Sequence, residues 1–303
     1  MANIAASIVL ITRNKLERIQ HTLKSLSLQN TRGILFEVVI VNNGSTVDYT
    51  SVIELYKGQL HMQYTEREAA SIAKARNIGI KMAKGDIIIF LDDDILFGSQ
   101  FIYEHIKPHL ESKDEVVVVG DRYNVFFGNI TSHRTETIIH NALLNDINQL
   151  NGTAREDFYA KQTFKLFGWH PNGGHIAWTC FVTRNASVSK KLLEKVNYFD
   201  EKFLGWGGED IELGYRLYNQ NARFIYQKNA KVYHMEHPVG KNRIENLAKN
   251  MNYFCEKYSE HLDPKLFVKF INNQISLEEF YNSNNALKLH IKNSSQTYFK
   301  MIR

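Results

Sequence analysis

The sequence predicts an α/β protein with a mostly parallel sheet and flanking helices, and three observations support this prediction. Residues 6–12, 36–43 and 86–94 each contain a continuous apolar run, which is typical of a strand buried on both faces. Segments with apolar residues at helical spacing lie between these runs. Each run also ends in polar residues. Alternating strands and helices predict βαβ units, whose right-handed crossovers bring the strand ends to one edge of the sheet.

The remaining elements follow from the same patterns. A helix is predicted within residues 13–29, where apolar residues recur at every third or fourth position. Residues 130–172 give no clear assignment. The other predicted elements are a short strand at 61–66, a helix at 69–86 that stops near Gly85, strands at 115–127 and 173–183, a short helix within 189–203, a loop and helix at 205–220, two short strands within 222–237, and a helical region beyond Gly240 with Ile244, Leu247, Met251 and Phe254 on one face.

Composition excludes several classes of protein. The 303 residues are 44% hydrophobic, which is enough for a real core, and the net charge of +5 is too small for a nucleic-acid binder. Cys180 and Cys255 have no metal or disulfide spacing, so we expect reduced thiols in a cytoplasmic protein. The N-terminus lacks the basic region of a signal peptide, and no apolar run approaches the ~20 residues of a spanning helix.

Three adjacent aspartates, at positions 92 to 94, end the third apolar run. Like charges at a strand end repel one another, and a divalent ion such as Mg²⁺ offsets them by binding carboxylates together with substrate phosphates. Because side chains alternate along a strand, Asp92 and Asp94 should point to one side and Asp93 to the other. We therefore expect Asp92 and Asp94 to share a nucleotide–metal complex. A solvated acidic turn is the alternative.

The motifs taken together resemble a known family. The order SIVLITRN, VVIVNNGST and AKARNIGIKMAKGDIIIFLDDD resembles the N-terminal half of family-2 glycosyltransferases, which have the GT-A fold. FDEKFLGWGGEDIELGYRL resembles the segment shared with galactosyltransferase-like and chondroitin-polymerase-like enzymes. The resemblance implies a UDP-sugar donor, Mn²⁺ or Mg²⁺, and inversion at the transferred sugar. It also implies a catalytic domain over 1–240, with a nucleotide-binding half (1–115) and an acceptor half (116–240), and a helical extension over 241–303.

The resemblance assigns roles to residues near the strand ends. Thr12 and Asn14 would line the nucleotide pocket, and Arg76 of the ARN segment would face the base or the diphosphate. Asn42 and Asn43 stand where the family often has an acidic residue that bonds uracil, so the base preference is open. Asp92 and Asp93 are assigned to the nucleotide-sugar, as is Gly174, which falls where the family shapes the donor-sugar pocket.

The metal ligands implied by the resemblance are Asp92, Asp94 and a histidine from VYHMEHP. The H-x-E-x-P spacing favours His234, and His237 is the second choice. An imidazole ligand shifts selectivity from Mg²⁺ toward Mn²⁺. A histidine without a metal is the alternative interpretation.

The stretch GWGGED places three glycines, an aromatic ring and two acids before a helix. Helix N-termini favour carboxylates, so simple capping explains one acid. It does not explain the ring of Trp206, on which a sugar can stack, or Gly207 and Gly208, which allow close approach. By the resemblance, Asp210 is the general base and Glu209 binds acceptor hydroxyls or orients the loop.

The acceptor is not specified by the sequence, so a glycan, a lipid-linked glycan, a peptide and a small molecule all stay open. The last 23 residues carry four basic residues and no acid, which would allow a weak peripheral contact with an anionic membrane, although a solvated end is the simpler interpretation. Two competing functions are a sugar-phosphate nucleotidyltransferase and a non-catalytic nucleotide-sugar-binding module. The first needs a glycine-rich loop after strand one, and the second does not need DxD, ED and histidine motifs together.

Overall fold

The computed structural model describes residues 4–169, 174–238 and 240–283. In this part of the chain nine strands form one sheet in the order β3-β2-β1-β4-β8-β6-β9-β5, and β7 pairs with β6. The strands are β1 (Ala6–Thr12), β2 (Phe36–Asn43), β3 (Met62–Arg67), β4 (Ile87–Asp92), β5 (Ile95–Phe97), β6 (Val116–Val125), β7 (Arg155–Glu156), β8 (Asn185–Ser189) and β9 (Arg223–Met235). The mixed sheet with flanking helices confirms the predicted fold class.

The first four strands form the parallel half of the sheet. β1 pairs with β2 and β4, and β2 pairs with β3, all in parallel. The Ile-, Val- and Leu-rich runs of β1, β2 and β4 are buried because helices cover both faces, whereas the edge strand β3 is partly exposed. The carboxyl ends of β1, β2 and β4 therefore meet at one edge, where Thr12, Asn43 and Asp92 end their strands.

The second half of the sheet is mixed and differs from prediction in several places. β8 runs antiparallel to β4 and β6, whereas β6 and β9 are parallel. The two short strands expected within 222–237 are one strand, β9, because the polar residues near Lys228 are accommodated at a register shift opposite Gly120. The prediction of a strand at 173–183 is wrong, because Ala177–Cys180 is a 3₁₀ helix. A buried apolar run in the sequence does not distinguish a strand from a short helix.

Helices cover the sheet and fill the region that the sequence left unassigned. They are α1 (Leu16–Ser27), α2 (Thr50–Lys57), α3 (Ile72–Met82), α4 (Phe101–Glu111), α5 (His133–Leu144), α6 (Phe158–Leu166), α7 (Lys190–Lys195), α8 (Glu209–Asn219), α9 (Arg243–Lys257), α10 (Leu262–Ile271) and α11 (Leu277–Asn282). The predicted helix near Gly85 ends at Met82. No helix in the described residues is both long and apolar enough to cross a membrane.

The C-terminal helices pack into the main core. The fully buried Trp178 ring contacts Phe254 of α9, Phe267 of α10 and Phe280 of α11, with ring centroids 5.4–6.5 Å apart. Ile244 is 58% exposed, so the predicted apolar face of α9 holds only in its second half. The boundary predicted at residue 240 stays a prediction. The basic residues of the tail (Lys288, Lys292, Lys300 and Arg303) lie outside the described residues.

Two histidines of α4, His105 fully buried and His109 partly buried, are expected to make the fold sensitive to acid. His105 Nδ1 and His109 Nε2 both contact the Ser187 hydroxyl, at 3.0 and 2.9 Å. Burial lowers the pKa of His105 to about 4 and that of His109 to about 3. A histidine whose pKa is lower in the folded state than in the unfolded state contributes its full stabilisation above pH 6.5. That contribution is lost as the pH falls toward the folded pKa, because the unfolded state binds the proton first.

We expect the free energy of unfolding to fall by about 1–2 kcal/mol per histidine between pH 7.5 and pH 5. His105→Gln should reduce this pH dependence, because the amide does not titrate. Urea unfolding at both pH values measures the effect, and His140→Gln, at an exposed position, serves as the matched control. An equal loss of stability in both variants would show that His105 does not carry the acid sensitivity.

Candidate active site

A cavity of about 790 Å³ opens at the carboxyl edge of the sheet. Its walls include the three aspartates that follow β4, the loop that precedes α8, and the end of β9. The acidic and basic residues that line it are Lys15, Arg76, Asp92, Asp93, Asp94, Arg184, Glu209, Asp210, His234, His237, Lys241 and Arg243. The two acidic motifs singled out in the sequence therefore face the same space.

The three aspartates do not alternate as expected, because β4 ends at Asp92 and the chain turns through the next two residues. Asp93 and Asp94 both approach the Lys15 ammonium, at 3.3 and 2.7 Å. The Asp92 carboxylate is turned toward two guanidinium groups instead, with Arg184 Nε at 3.6 Å and Arg76 Nη2 at 4.0 Å. Asp93 and Asp94, not Asp92 and Asp94, form the close pair.

A candidate metal centre is formed by Asp94, His234 and His237, whose ligand atoms lie within 4.8 Å of one another. The Nε2 atoms of the two histidines are 3.4 and 3.0 Å from Asp94 Oδ2. Ladder pairing of β5 with β9 sets Ile95 opposite His234, which brings the strand end beside the aspartates. Both histidines named in the sequence analysis are thus present, whereas Asp92 lies outside the group.

The donor set of this centre fits a divalent cation. His234 Nδ1 lies 3.2 Å from Asn124 Oδ1, and His237 Nδ1 lies 2.8 Å from the Pro238 carbonyl, so Nε2 is the nitrogen of each ring that would bind a metal. Asp94 Oδ1 is buried and has no hydrogen-bond partner among the described residues. One carboxylate with two imidazoles is a set that favours Mn²⁺ over Mg²⁺.

Protonation states in this cluster follow from burial and neighbouring charge. Burial opposes ionisation of Asp94, but hydrogen bonds from His234 and His237 and the charge of Lys15 hold its pKa well below the usual value. Burial raises the pKa of Asp93 to about 7, although Lys15 opposes the shift. Burial and the nearby Arg184 lower the pKa of His234, which keeps its imidazole neutral and able to bind a metal.

The glycines before α8 are required by the backbone. Gly207 and Gly208 have φ angles of +87° and +96°, in the left-handed region. A Cβ on Gly208 would lie 2.6 Å from Met251 Cε of α9. The Asn250 side chain of α9 donates to the carbonyls of Leu204 and Gly207, at 2.9 and 2.6 Å. Helix α9 therefore holds the loop against the cavity.

The two acids at the start of α8 have different environments. Arg76 Nη1 lies 2.6 Å from Glu209 Oε1, and both side chains are buried. Asp210 makes no salt bridge within the described part of the chain, and its Oδ1 accepts the Ile211 backbone N–H at 2.9 Å. Burial and the charge of Glu209 raise the pKa of Asp210 to about 7. Glu209 is thus paired with a guanidinium, whereas Asp210 is able to accept a proton near neutral pH.

The ring of Trp206 is 38% exposed at the cavity, but one face is covered. The Arg243 guanidinium carbon lies 3.6 Å from the ring centroid, which is a cation–π contact. Arg243 Nε is buried without a hydrogen-bond partner among the described residues. The expectation that a sugar stacks on Trp206 is therefore limited to the face that Arg243 leaves uncovered.

A second cavity of about 470 Å³ adjoins the first and shares Lys15, Asp93 and Trp206 with it. Thr12 and Asn43 line this cavity, as expected of nucleotide-pocket residues. Asn14 and Asn42 do not, because their side-chain carbonyls accept the backbone N–H groups of Thr46 and Ser45 and so shape the loop after β2. Nucleotide contact by Thr12, Asn14, Asn42 and Asn43 stays a prediction.

Two protein-family models match the chain. The model of glycosyl transferase family 2 matches residues 7–192. The chain belongs to glycosyl transferase family 2. A model described as the N-terminal domain of galactosyltransferase matches residues 169–238 of the same glycosyltransferase, which covers the loop before α8 and the strand that carries His234. Family membership disfavours both the nucleotidyltransferase and the non-catalytic module.

Relatives of known name agree with this family membership. This glycosyltransferase is 28% identical over 278 residues to an uncharacterized glycosyltransferase, YfnE, of Bacillus subtilis, with 84% of this chain and 70% of the relative covered. It is 30% identical over 265 residues to a chondroitin synthase of Pasteurella multocida, with 81% of this chain but only 26% of the synthase covered. A validoxylamine A glucosyltransferase of Streptomyces hygroscopicus is 28% identical over 272 residues, with coverage of 89% and 64%.

Solved structures confirm the GT-A fold. The glycosyltransferase resembles residues 1–349 of TarS of S. aureus with a TM-score of 0.60 at 17% identity, covering 95% of this chain and 75% of that segment. It resembles GalNAc-T7 with a TM-score of 0.61 at 13% identity, covering 90% of this chain and 51% of that enzyme.

Gly174 and several basic residues differ from the sequence-based assignment. Gly174 lines neither cavity, because it packs against the rings of Phe167 and Tyr281, where a Cβ would lie 2.4 Å from the first. Lys15, Arg184 and Arg243 line the site but were not predicted. Lys15 follows the polar cluster at the end of β1 and could have been included in it, whereas the two arginines stand in no recognised motif.

The Arg76–Glu209 pair makes a prediction about stability. Arg76→Met should lower the free energy of unfolding by about 3–5 kcal/mol, because it leaves a buried carboxylate without its partner. Arg76→Met combined with Glu209→Gln should recover part of that loss. Urea unfolding of both variants and of the exposed control Lys74→Met measures the effect. If the double variant is no more stable than Arg76→Met alone, the loss does not come from the stranded carboxylate.

Proposed function

We propose that this enzyme transfers a sugar from a UDP-sugar to an acceptor hydroxyl with inversion, in a reaction that depends on a divalent metal and uses Asp210 as the general base. The observation that carries the proposal is the contrast between the two acids at the start of α8. Glu209 is paired with Arg76, whereas the pKa of Asp210 is raised by burial in the cavity that also contains Asp94, His234 and His237.

In this mechanism Asp210 takes the proton of the acceptor hydroxyl as its oxygen attacks the anomeric carbon of the donor. The bond from that carbon to the diphosphate breaks on the opposite face, and UDP leaves with the electron pair. Asp94, His234 and His237 would hold the metal, which supplies Lewis-acid stabilisation of the leaving diphosphate. Arg184, Arg243 and Lys241 line the same cavity and add positive charge where that group departs.

The choice of donor rests on solved neighbours of the same fold. A TarS structure contains UDP-GlcNAc and the GalNAc-T7 structure contains UDP and Mn²⁺, whereas a mannosyltransferase of Pyrobaculum calidifontis contains GDP-Man and Mn²⁺. UDP is the first nucleotide to test. The names of the chondroitin synthase and validoxylamine A glucosyltransferase relatives support a sugar-containing acceptor, either a glycan chain or a small molecule.

We expect the protein with Mn²⁺ to release UDP from at least one member of a UDP-sugar panel, even if only by transfer to water. Asp210→Asn should lower the transfer rate by roughly 10²–10⁴-fold, because the amide does not accept the proton. Calorimetry should show that this variant still binds UDP and Mn²⁺. A variant that keeps most of the wild-type turnover would remove Asp210 from the role of base.

The pH profile follows from the same base. Because Asp210 must be deprotonated and its pKa is raised to about 7, the rate at subsaturating acceptor should fall tenfold per pH unit below about pH 7. Glu209→Gln removes a negative neighbour that raises this pKa, so the midpoint should move to lower pH. A midpoint that stays in place or moves upward would contradict the assignment of the two acids.

Metal binding distinguishes the candidate ligands. His237→Ala and His234→Ala should each weaken Mn²⁺ binding by about 10-fold or more, since each removes a ligand of a small donor set. Asp92→Asn should have a smaller effect on Mn²⁺ affinity, because the Asp92 carboxylate faces arginines. Calorimetric titration with Mn²⁺ in the presence of UDP measures all three. A larger effect at Asp92 than at His237 would return Asp92 to the ligand set.

A further inference from the structure

We propose that Lys15 is a built-in counter-ion that competes with the divalent metal for Asp94 and gives way to it when the donor nucleotide binds. Metal and nucleotide would then bind cooperatively, and each would bind weakly alone. This inference rests on the proposed function, because it concerns the metal and donor of the same site. It assigns a role to a residue that neither acidic motif includes.

The position of Lys15 is fixed by its backbone. Its N–H donates to the Tyr49 hydroxyl at 2.9 Å, and the same hydroxyl is 2.9 Å from Thr12 Oγ1. Tyr49 is fully buried. The residue therefore starts from an anchored point between the end of β1 and the start of α1, and only its four-carbon side chain is able to move.

The Lys15 ammonium contacts the same Asp94 carboxylate oxygen that both histidines of the candidate metal centre approach. Lys15 Nζ lies 2.7 Å from Asp94 Oδ2, the atom that His237 Nε2 and His234 Nε2 approach at 3.0 and 3.4 Å. It also lies 3.3 Å from Asp93 Oδ1. Two cations that share one carboxylate oxygen repel each other at short range, so metal binding at this group must displace or weaken the Lys15 contact.

A donor nucleotide offers the displaced ammonium a new partner. Lys15 lines both the cavity with the candidate metal centre and the adjoining cavity with Thr12 and Asn43. Its side chain is 28% exposed, so it is able to turn from Asp94 toward a phosphate bound where the cavities meet. The nucleotide would thereby remove the competitor of the metal. By linkage, the metal must raise the affinity for the nucleotide by the same factor.

The test measures Mn²⁺ affinity of the full chain, with and without UDP, from the electron paramagnetic resonance signal of free Mn²⁺. Lys15→Met should bind Mn²⁺ about 10-fold more tightly than wild type without UDP, since it removes a positive charge next to the ligand oxygen. The factor by which UDP increases Mn²⁺ affinity should shrink by a similar amount. Lys15→Arg should keep the wild-type pattern, and the exposed control Lys74→Met should change neither quantity.

Lys15→Gln, which keeps a hydrogen-bond donor without the charge, provides a second uncharged variant should Lys15→Met unfold, and thermal melting identifies that case. Mn²⁺ affinity that is unchanged or weaker in the folded uncharged variant, with UDP-dependent Mn²⁺ binding intact, overturns the role of Lys15 alone. Absence of Mn²⁺ binding in every variant, even with UDP, overturns the proposed metal-dependent function as well.

Discussion

Five carboxylates meet at the carboxyl edge of the sheet, and their mutual repulsion determines how the side chains around them are arranged. They belong to Asp92, Asp93, Asp94, Glu209 and Asp210. Each basic partner comes from a different part of the chain: Lys15 follows β1, Arg76 lies on α3, and Arg184 precedes β8. Arg76 contacts both Asp92 and Glu209 and so connects the end of β4 to the start of α8. The ion pairs that offset the repulsion are therefore also the contacts that join the two halves of the sheet around the cavity.

The same edge depends on the C-terminal helices. Asn250 of α9 holds the glycine loop, and Lys257 and Tyr258 at the end of α9 both bond Glu212, which is fully buried in α8. Glu212 also makes a bidentate pair with Arg216. Helix α8 thus has one acid that fixes its position, one that is paired with Arg76, and one that is left with a raised pKa. Asp210 is therefore the acid of this group that has no salt-bridge partner among the described residues, which suits the base role proposed for it.

Much of this arrangement could be predicted from sequence, and the misses have physical causes. Periodicity identified the parallel half because β1, β2 and β4 are buried on both faces and the helices between them have one apolar stripe. It wrongly predicted a strand at residues 177–180, since a fully buried apolar run gives the same sequence pattern in a strand and in a short helix. Strand alternation failed at Asp93 because the chain turns there, which no pattern of polar residues marks.

Site residues were predicted best where they carry a motif and worst where they act through tertiary contacts. The two acidic motifs and both histidines of VYHMEHP come together in one cavity. Asn14, Asn42 and Gly174 match positions of the family pattern, but local hydrogen bonds or aromatic packing occupy them. Arg184 and Arg243 come from segments without a recognisable motif. They were missed because a single arginine becomes part of a site only when folding places it there.

The stack of Arg243 on Trp206 bears on how an acceptor is oriented. An acceptor sugar that packs on the ring must use the face opposite the guanidinium, and that face belongs to a loop held by Asn250 and anchored at Gly208. Asp210 follows two residues later in the same rigid turn. In the proposed mechanism, the loop would couple the surface that receives the sugar to the carboxyl group that takes its proton. Its three left-handed glycines are explained by this coupling, since an ordinary N-terminal cap would need none of them.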